Sequence, residues 1–240
     1  MLAHGPLEAA PLEALPWPAL GSDAALAVLP GLPERAPGSS ALDASTTDWN
    51  LLGAPLDSAS RPVLPGARGE LESLATLHPG SRLSIEAEFT RARVLAACRA
   101  AAPLHIATHL DASCESWRSF GPSALRTSDA LPLCADELAL AGPKLPLVML
   151  STCWSSSGAR VDAEGQLGLA RAFLSSGTRN VVVTLWPIED RSAPRSARLL
   201  HEALRAGATP SRAAARTRAS LRSAGASPSE WAALRLLGRD

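Results

Sequence analysis

The stretch LVMLSTCWSSSG, Leu147 to Gly158, decides how the rest of the chain is read. Its first half, taken from Pro146 as PLVML, is short, apolar and β-branched at Val148. That pattern predicts a buried strand. Its second half is small and polar, which is loop chemistry. Cys153 is therefore expected just past the carboxyl end of a central strand. In open α/β sheets, ligands and chemistry gather at that edge. Position alone leaves two readings open. The cysteine is either a small buried hydrophobe, as many free cysteines are, or a positioned thiol.

The same reasoning extends in both directions. Upstream, PLHIATH is a second strand, opened by Pro103. Between the two strands, SALRTSDALPLCADELAL predicts a small hairpin and a short helix. FTRARVLAACRAA and PGARGELESLATL space their apolar residues helically, and SRLSIEA between them reads as a strand. Downstream, EGQLGLARAFLSSG is helical with Gly177 placed as a C-cap. RNVVVTLW is a strand. RSAPRSARLLHEALRAG and TPSRAAARTRASLRSAG are helices, the first with Pro194 in its opening turn and the second with Thr209 as N-cap before Pro210. From residue 66 onward strands and helices alternate, which predicts a mainly parallel sheet covered on both faces. Residues 1–65 are rich in Pro, Gly and Ser. AALAVLPG and WNLLGAPL predict short strands there, with an exposed loop over about 30–48 between them. One domain over 1–240 is expected, without an internal repeat.

Composition narrows the function. The 240 residues carry 23 basic and 23 acidic side chains, so the formal net charge is zero and neither nucleic acid nor an anionic membrane surface is an expected partner. The heavy use of Ala, Arg, Pro and Leu reads as coding bias. No apolar run approaches about 20 residues, and the amino terminus has neither the basic nor the apolar region of a signal peptide. Cys98, Cys114, Cys134 and Cys153 are far apart and form no CxxC, so neither a zinc site nor a disulfide framework is expected. A reducing cytoplasm is the expected location. There is no GxGxxG and no GxxxxGK[ST], hence no support for a nucleotide site.

A thiol nucleophile at neutral pH needs an activator, most often histidine. LHIATHLD offers two. His105 lies inside the apolar strand and reads as a core or structural residue. His109 lies where strand gives way to loop, 44 positions before Cys153. If the intervening hairpin and helix act as a crossover, two neighbouring parallel strands present His109 and Cys153 at one sheet edge. The HxxxH spacing also suggests zinc, but that motif requires a helix and a glutamate base, and here both are missing.

LHIATH, then LVMLSTCWSSSG, then EGQLGLARAFLSSGTRNVVVTLWPIED resemble the CHAT domain, a relative of the caspases, separase and metacaspases. HGPLEAAPLEALPW is similar to the opening of that domain. LPGARGELESLATL resembles its LPGA–E helix start, and SEWAALRLLG resembles its closing strand, a segment that propensity alone assigns to helix. The resemblance implies a caspase-like three-layer sandwich: an α/β fold with a mainly parallel central sheet and helices on both faces. It implies a cysteine endopeptidase that needs no cofactor or metal, with His109 as base and Cys153 as nucleophile. Backbone N–H groups of Cys153 and Leu110 would hold the oxyanion.

The chain departs from the family pattern in two places. His109 is followed by Leu110 where the family has glycine. The nucleophile sits in STCWSSSG where the family has SAC-x-T/S-G. Trp154 either walls the substrate cleft or packs beneath the loop. By resemblance to separase, Asp190 in TLWPIEDR reads a basic P1 residue. It otherwise caps the helix starting near Ser192 or pairs with a neighbouring arginine. Three functions follow: a peptidase cutting a protein partner, a weak or inactive CHAT domain acting as an interaction module, and a flavodoxin-like small-molecule binder that lacks a phosphate loop. The family commonly carries helical repeats upstream. This chain begins almost at the expected first strand, so either a separate helical-repeat sensor or regulatory protein, or a start upstream of Met1, is expected.

Overall fold

The apolar run LHIATHLD and the run VMLSTCW form the two middle strands of an eight-stranded sheet. A computed structural model describes residues 48–57, 59–60, 64–111, 114, 120, 123–154, 163–186, 188–189 and 192–238, and at 153–154 and 163–166 only their backbone. The expected strand in AALAVLPG and nearly all of the expected loop over 30–48 lie outside the described residues.

In chain order the elements are β1 (Asn50–Gly53), α1 (Pro65–Leu77), β2 (Arg82–Ile85), α2 (Arg91–Arg99) and β3 (Leu104–Asp111). They continue with β4 (Ala124–Leu125), β5 (Leu133–Cys134), α3 (Ala135–Ala141), β6 (Val148–Trp154) and α4 (Ala163–Ser175). β7 (Asn180–Thr184), α5 (Ala193–Arg205), α6 (Pro210–Ser223), α7 (Pro228–Trp231) and β8 (Leu234–Gly238) complete them. The sheet order is β2-β1-β3-β6-β7-β8. All neighbours along it are parallel except β7 and β8, which are antiparallel. The β4–β5 hairpin joins antiparallel to the end of β3.

Strand alternation sends successive side chains to opposite faces, and each face is buried by its own helices. Leu104, Ile106, Leu110, Val148 and Leu150 pack with Val94 of α2, Leu138 of α3 and Phe173 of α4. Ala107, Leu147, Met149 and Val182 pack with Leu71 of α1, Leu200 of α5 and Ala213 of α6. The result is a three-layer α/β sandwich with a mainly parallel sheet, as the alternation of elements predicts. Local chemistry sets the helix ends. Thr90 and Thr209 accept the backbone N–H of Arg93 and Arg212 at the starts of α2 and α6. Gly177 ends the turn after α4 at φ +104°, a conformation that glycine adopts without strain. Gly53 allows the close approach of β1 to β3: a Cβ there would lie 2.0 Å from the Ala107 carbonyl oxygen.

Two expectations are corrected. β3 and β6 both run further than their composition suggests, to Asp111 and Trp154. Cys153 is thus inside a strand and not beyond its end. Pairing supplies the reason: Leu110 is flanked by Trp154 on one side and Leu125 on the other, and these ladders hold polar residues extended. The second correction is a disulfide, which joins Cys114 to Cys134 with Cα atoms 5.9 Å apart. They are 20 positions apart in sequence, but β4 folds back onto β3 and β5 onto β4, returning Cys134 to the chain just beyond β3. Spacing alone carries no trace of that return.

Candidate active site

β3 and β6 lie side by side in parallel, and their register pairs Thr108 with Thr152, His109 with Cys153 and Leu110 with Trp154. Neighbouring strands lie about 4.8 Å apart. Alternation puts positions 105, 107 and 109 on one face of the sheet, together with positions 149, 151 and 153. That face is the one covered by α1, α5 and α6, because Ala107 and Met149 belong to its core. The two expected reactive positions are therefore adjacent, on one face, at the carboxyl ends of the two central strands. The side chains of Cys153 and Trp154 lie outside the described residues, as does Asp190.

His109 is nearly buried, with 8% of its surface exposed. Its carbonyl accepts the Arg126 backbone N–H at 3.0 Å, and Thr108 Oγ1 donates to the Arg126 carbonyl at 2.5 Å. These bonds clamp the end of β3 to the β4 hairpin, and the Cys114–Cys134 bridge fastens the chain again five residues beyond His109. Leu110 faces the opposite layer, within the core of α2, α3 and α4. Its side chain has a packing role that glycine could not fill.

Near the end of β7, Trp186 donates its ring N–H to the Ser229 carbonyl at 2.7 Å, joining the strand exit to α7. The N-cap position of α5 belongs to Ser192, whose hydroxyl donates to Glu230 at 2.6 Å. The remaining cysteine with described surroundings, Cys98, is buried, and desolvation pushes its thiol up to about 12. It is the small apolar kind of cysteine, unsuited to nucleophilic work.

His105 has the structural role expected of it, within an array that the sequence does not reveal. Its Nε2 lies 2.7 Å from Glu70 of α1, and its Nδ1 lies 3.0 Å from His201 Nε2 on α5. His201 Nδ1 in turn lies 3.0 Å from Nε2 of His78, the residue that ends α1. The partners are 35, 96 and 123 positions apart, so no motif search links them. The four groups form a line rather than converging. Among the described residues no set of three or more His, Cys, Asp or Glu side chains is placed to hold a metal ion.

The CHAT domain family matches residues 3–239 of the chain. Tetratricopeptide repeat protein 28 of Homo sapiens is 30% identical over 193 residues, and its Mus musculus counterpart 28% over 192. Each of these matches covers 63% of this chain and 8% of the relative, so the chain spans less than a tenth of the curated relatives it matches. Among solved structures, the separase of the Saccharomyces cerevisiae separase–securin complex superposes with a TM-score of 0.59 at 16% identity, over 97% of this chain and 14% of that one. The complex of Porphyromonas gingivalis RgpB pro- and mature domains superposes with a TM-score of 0.50 at 9% identity, covering 81% of this chain and 47% of that one. The fold is caspase-like.

Proposed function

We propose that this chain, which belongs to the CHAT domain family, is a cysteine endopeptidase that uses a Cys153–His109 dyad to cut a protein partner. The family is related to caspase-like cysteine peptidases, and the register of His109 with Cys153 carries the reading. A cysteine and a histidine at paired positions on one face are within reach of proton exchange. His109 takes the thiol proton, and the Cys153 thiolate attacks the scissile carbonyl. The tetrahedral oxyanion would be held by backbone N–H groups of Cys153 and Leu110, which requires the end of the β3–β6 ladder to open and release them. His109 then gives the proton to the departing amine. Water hydrolyses the thioester, returning thiol and imidazole. Neither metal nor cofactor enters these steps.

In this reading Asp190 pairs with Arg or Lys at P1, while position 154, in register with Leu110 on the face opposite His109 and Cys153, favours packing beneath the loop over walling the cleft. A partly desolvated carboxylate that meets no cation is penalised, so such a pocket rejects neutral side chains. The names of the curated relatives support a helical-repeat protein as a regulatory partner. A cytoplasmic location was expected from cysteines read as unpaired, and the Cys114–Cys134 bridge argues against it, since disulfides are rare in a reducing compartment. No helix among the described residues is long and apolar enough to cross a membrane.

A thiol-reactive activity probe tests the dyad. Labelling is expected in the wild type and lost in Cys153→Ala and His109→Ala. Equal labelling of wild type and Cys153→Ala would refute it. A second reading, an interaction module with little or no activity, is favoured by one observation. Leu110, where the family has glycine, is committed to the core. It predicts no Cys153-dependent labelling in a folded chain. For specificity, a P1-varied peptide library is read with wild type and Asp190→Asn. An unchanged profile would remove Asp190 from the pocket.

A further inference from the structure

The charges of this chain balance as a whole but not in place. Seven arginines and one glutamate lie between Ala193 and Ser223, the span of α5, α6 and the turn joining them, so the net charge there is +6. The other 16 basic and 22 acidic residues leave the rest of the chain at −6. From Ala203 to Ser229 there is no Asp or Glu at all. Coding bias accounts for arginine in place of lysine. It does not account for the missing acids, because the rest of the chain carries more acids than bases.

Two of the seven do not add to the surface charge. Arg218 is buried and donates to the Leu234 carbonyl at 3.2 Å. Arg198 is paired with Glu202 at 2.8 Å, and the two cancel. Arg195, Arg205, Arg212, Arg216 and Arg222 are exposed, and none has a carboxylate partner among the described residues. Arg205 donates to the Leu77 carbonyl, and Arg222 lies 5.9 Å from the centroid of the Trp231 ring. Neither contact neutralises the charge. The acid on α7, Glu230, accepts from the Ser192 hydroxyl and from the Ser227 N–H and hydroxyl. On α6, Arg212 and Arg216 are one turn apart on the side away from the buried Ala213, Ala214 and Thr217. The other exposed positions toward its end, 219, 220 and 223, are Ala or Ser, so no bulky side chain stands over the guanidinium groups.

We propose that the outer face of α6, with the exposed arginines of α5 beside it, is a docking surface for an acidic segment of a protein partner. Charge complementarity selects the sign, and arginine suits a carboxylate because its planar fork offers two parallel N–H groups. Size selects the kind of partner. The 14 residues of α6 make a surface about 21 Å long, the length of about four turns of a helix. A segment with carboxylates one turn apart matches the spacing of Arg212 and Arg216. A nucleic acid or an anionic membrane would extend past this patch onto a body whose remaining charge is −6, and like charge repels it. The surface owes nothing to the proposed dyad, and it stands whether or not Cys153 is a nucleophile.

The test is fluorescence anisotropy on the full chain, with a labelled synthetic peptide as long as α6 and glutamate at every fourth position. Binding is expected, and raising the salt from about 50 to 300 mM should weaken it about tenfold. Arg212→Glu together with Arg216→Glu should weaken it by more than about tenfold, and the corresponding glutamine pair by less. Arg93→Glu with Arg99→Glu makes the same change of net charge at exposed positions of α2, on the opposite layer of the sandwich. That pair should leave the affinity within about twofold, since its charges lie well beyond a screening length from α6. Circular dichroism checks that each variant is folded, and the glutamine pair carries the test if the glutamate pair is not. Absence of peptide binding at about 50 mM salt would overturn the proposal. So would equal weakening by the α6 and α2 pairs, which would make the effect one of net charge alone. A DNA duplex or an anionic vesicle that displaces the peptide at lower charge concentration than unlabelled peptide would overturn it too. A salt-sensitive dimer of the chain, abolished by the α6 pair, would make this face a contact between copies instead.

Discussion

Acid should destabilise this fold through its buried histidines, by an amount that can be worked out. In the unfolded chain, His78 and His201 titrate near pH 6.5. In the folded chain both are lowered, His201 strongly, by burial and by neighbouring positive or potentially positive groups. Below about pH 6.5 the unfolded state therefore binds more protons, and stability falls as pH falls. Each ring that stays neutral contributes a slope approaching about 1.4 kcal/mol per pH unit. Between pH 7.5 and 5, His201 alone removes about 2 kcal/mol, and the pair at most about 4 kcal/mol. Domains of this kind have only about 5–15 kcal/mol to lose. The assay is urea unfolding at half-unit pH steps, followed by circular dichroism, for wild type and His201→Phe. The variant has no group to titrate at position 201 in either state. Its free energy should start lower at pH 7.5 and fall less steeply. A wild-type stability that is flat from pH 7.5 to 5, or parallel slopes for the two proteins, would refute the reasoning.

Three substitutions probe the frame around the site. Gly53→Ala places a methyl group 2.0 Å from the Ala107 carbonyl oxygen, at φ +153°. It should destabilise by roughly 3 kcal/mol or more in chemical unfolding. Cys134→Ser opens the bridge to Cys114, which closes a loop with a sequence separation of 20. About 3 kcal/mol should be lost under non-reducing conditions, and wild type with a dithiol reductant should lose the same. Leu110→Ala removes a side chain 3% exposed in the core. It should lower stability by about 2–5 kcal/mol, so activity measured on a glycine variant at this position must be corrected for the folded fraction. A Leu110 variant with unchanged unfolding would show that the residue is not packed as described.

The fold was largely legible because its elements carry their own signals. PGARGELESLATL has helical spacing behind a proline and forms α1 over its whole length. Thr209-Pro210 marks the start of α6, and Gly177 marks the end of α4. The two middle strands were legible as apolar runs, but their ends were not. Composition assigns Thr152, Cys153 and Trp154 to a loop, whereas strand β3 alongside holds them extended through Leu110. The closing strand is the reverse case. LRLLG has leucine and arginine where helix propensity is high. It becomes β8 because β7 presents a free edge, with Val181 opposite Leu237 and Val183 opposite Arg235. Resemblance found that strand, and propensity could not.

What the sequence hid has a common physical origin, which bears on how the site is held. The Cys114–Cys134 bridge and the Glu70–His105–His201–His78 line are both made by chain returns across the sheet, one at the carboxyl end of β3 and one at its base. Neither has a local signature, since each half looks like an ordinary helix face or loop. Yet both act on β3. The bridge fixes the chain beyond His109, and the imidazole line fixes His105 four residues before it. A strand clamped at both ends has little freedom to slide or twist, and a slip of one residue would send His109 to the opposite face of the sheet. The strand of Cys153 is tied on its other side to β7, where Thr184 Oγ1 donates to the Thr152 carbonyl at 3.5 Å. The bridge and the imidazole line hold His109 to its register, and under the proposed dyad they predict a division of effects. Breaking the bridge or the imidazole line should reduce the rate of Cys153 labelling by displacing His109, while Cys153 remains accessible to a small alkylating thiol reagent. Loss of both reactivities together, at a temperature where the variant is still folded, would show that the two strands move as one and that the clamps do not act on β3 alone.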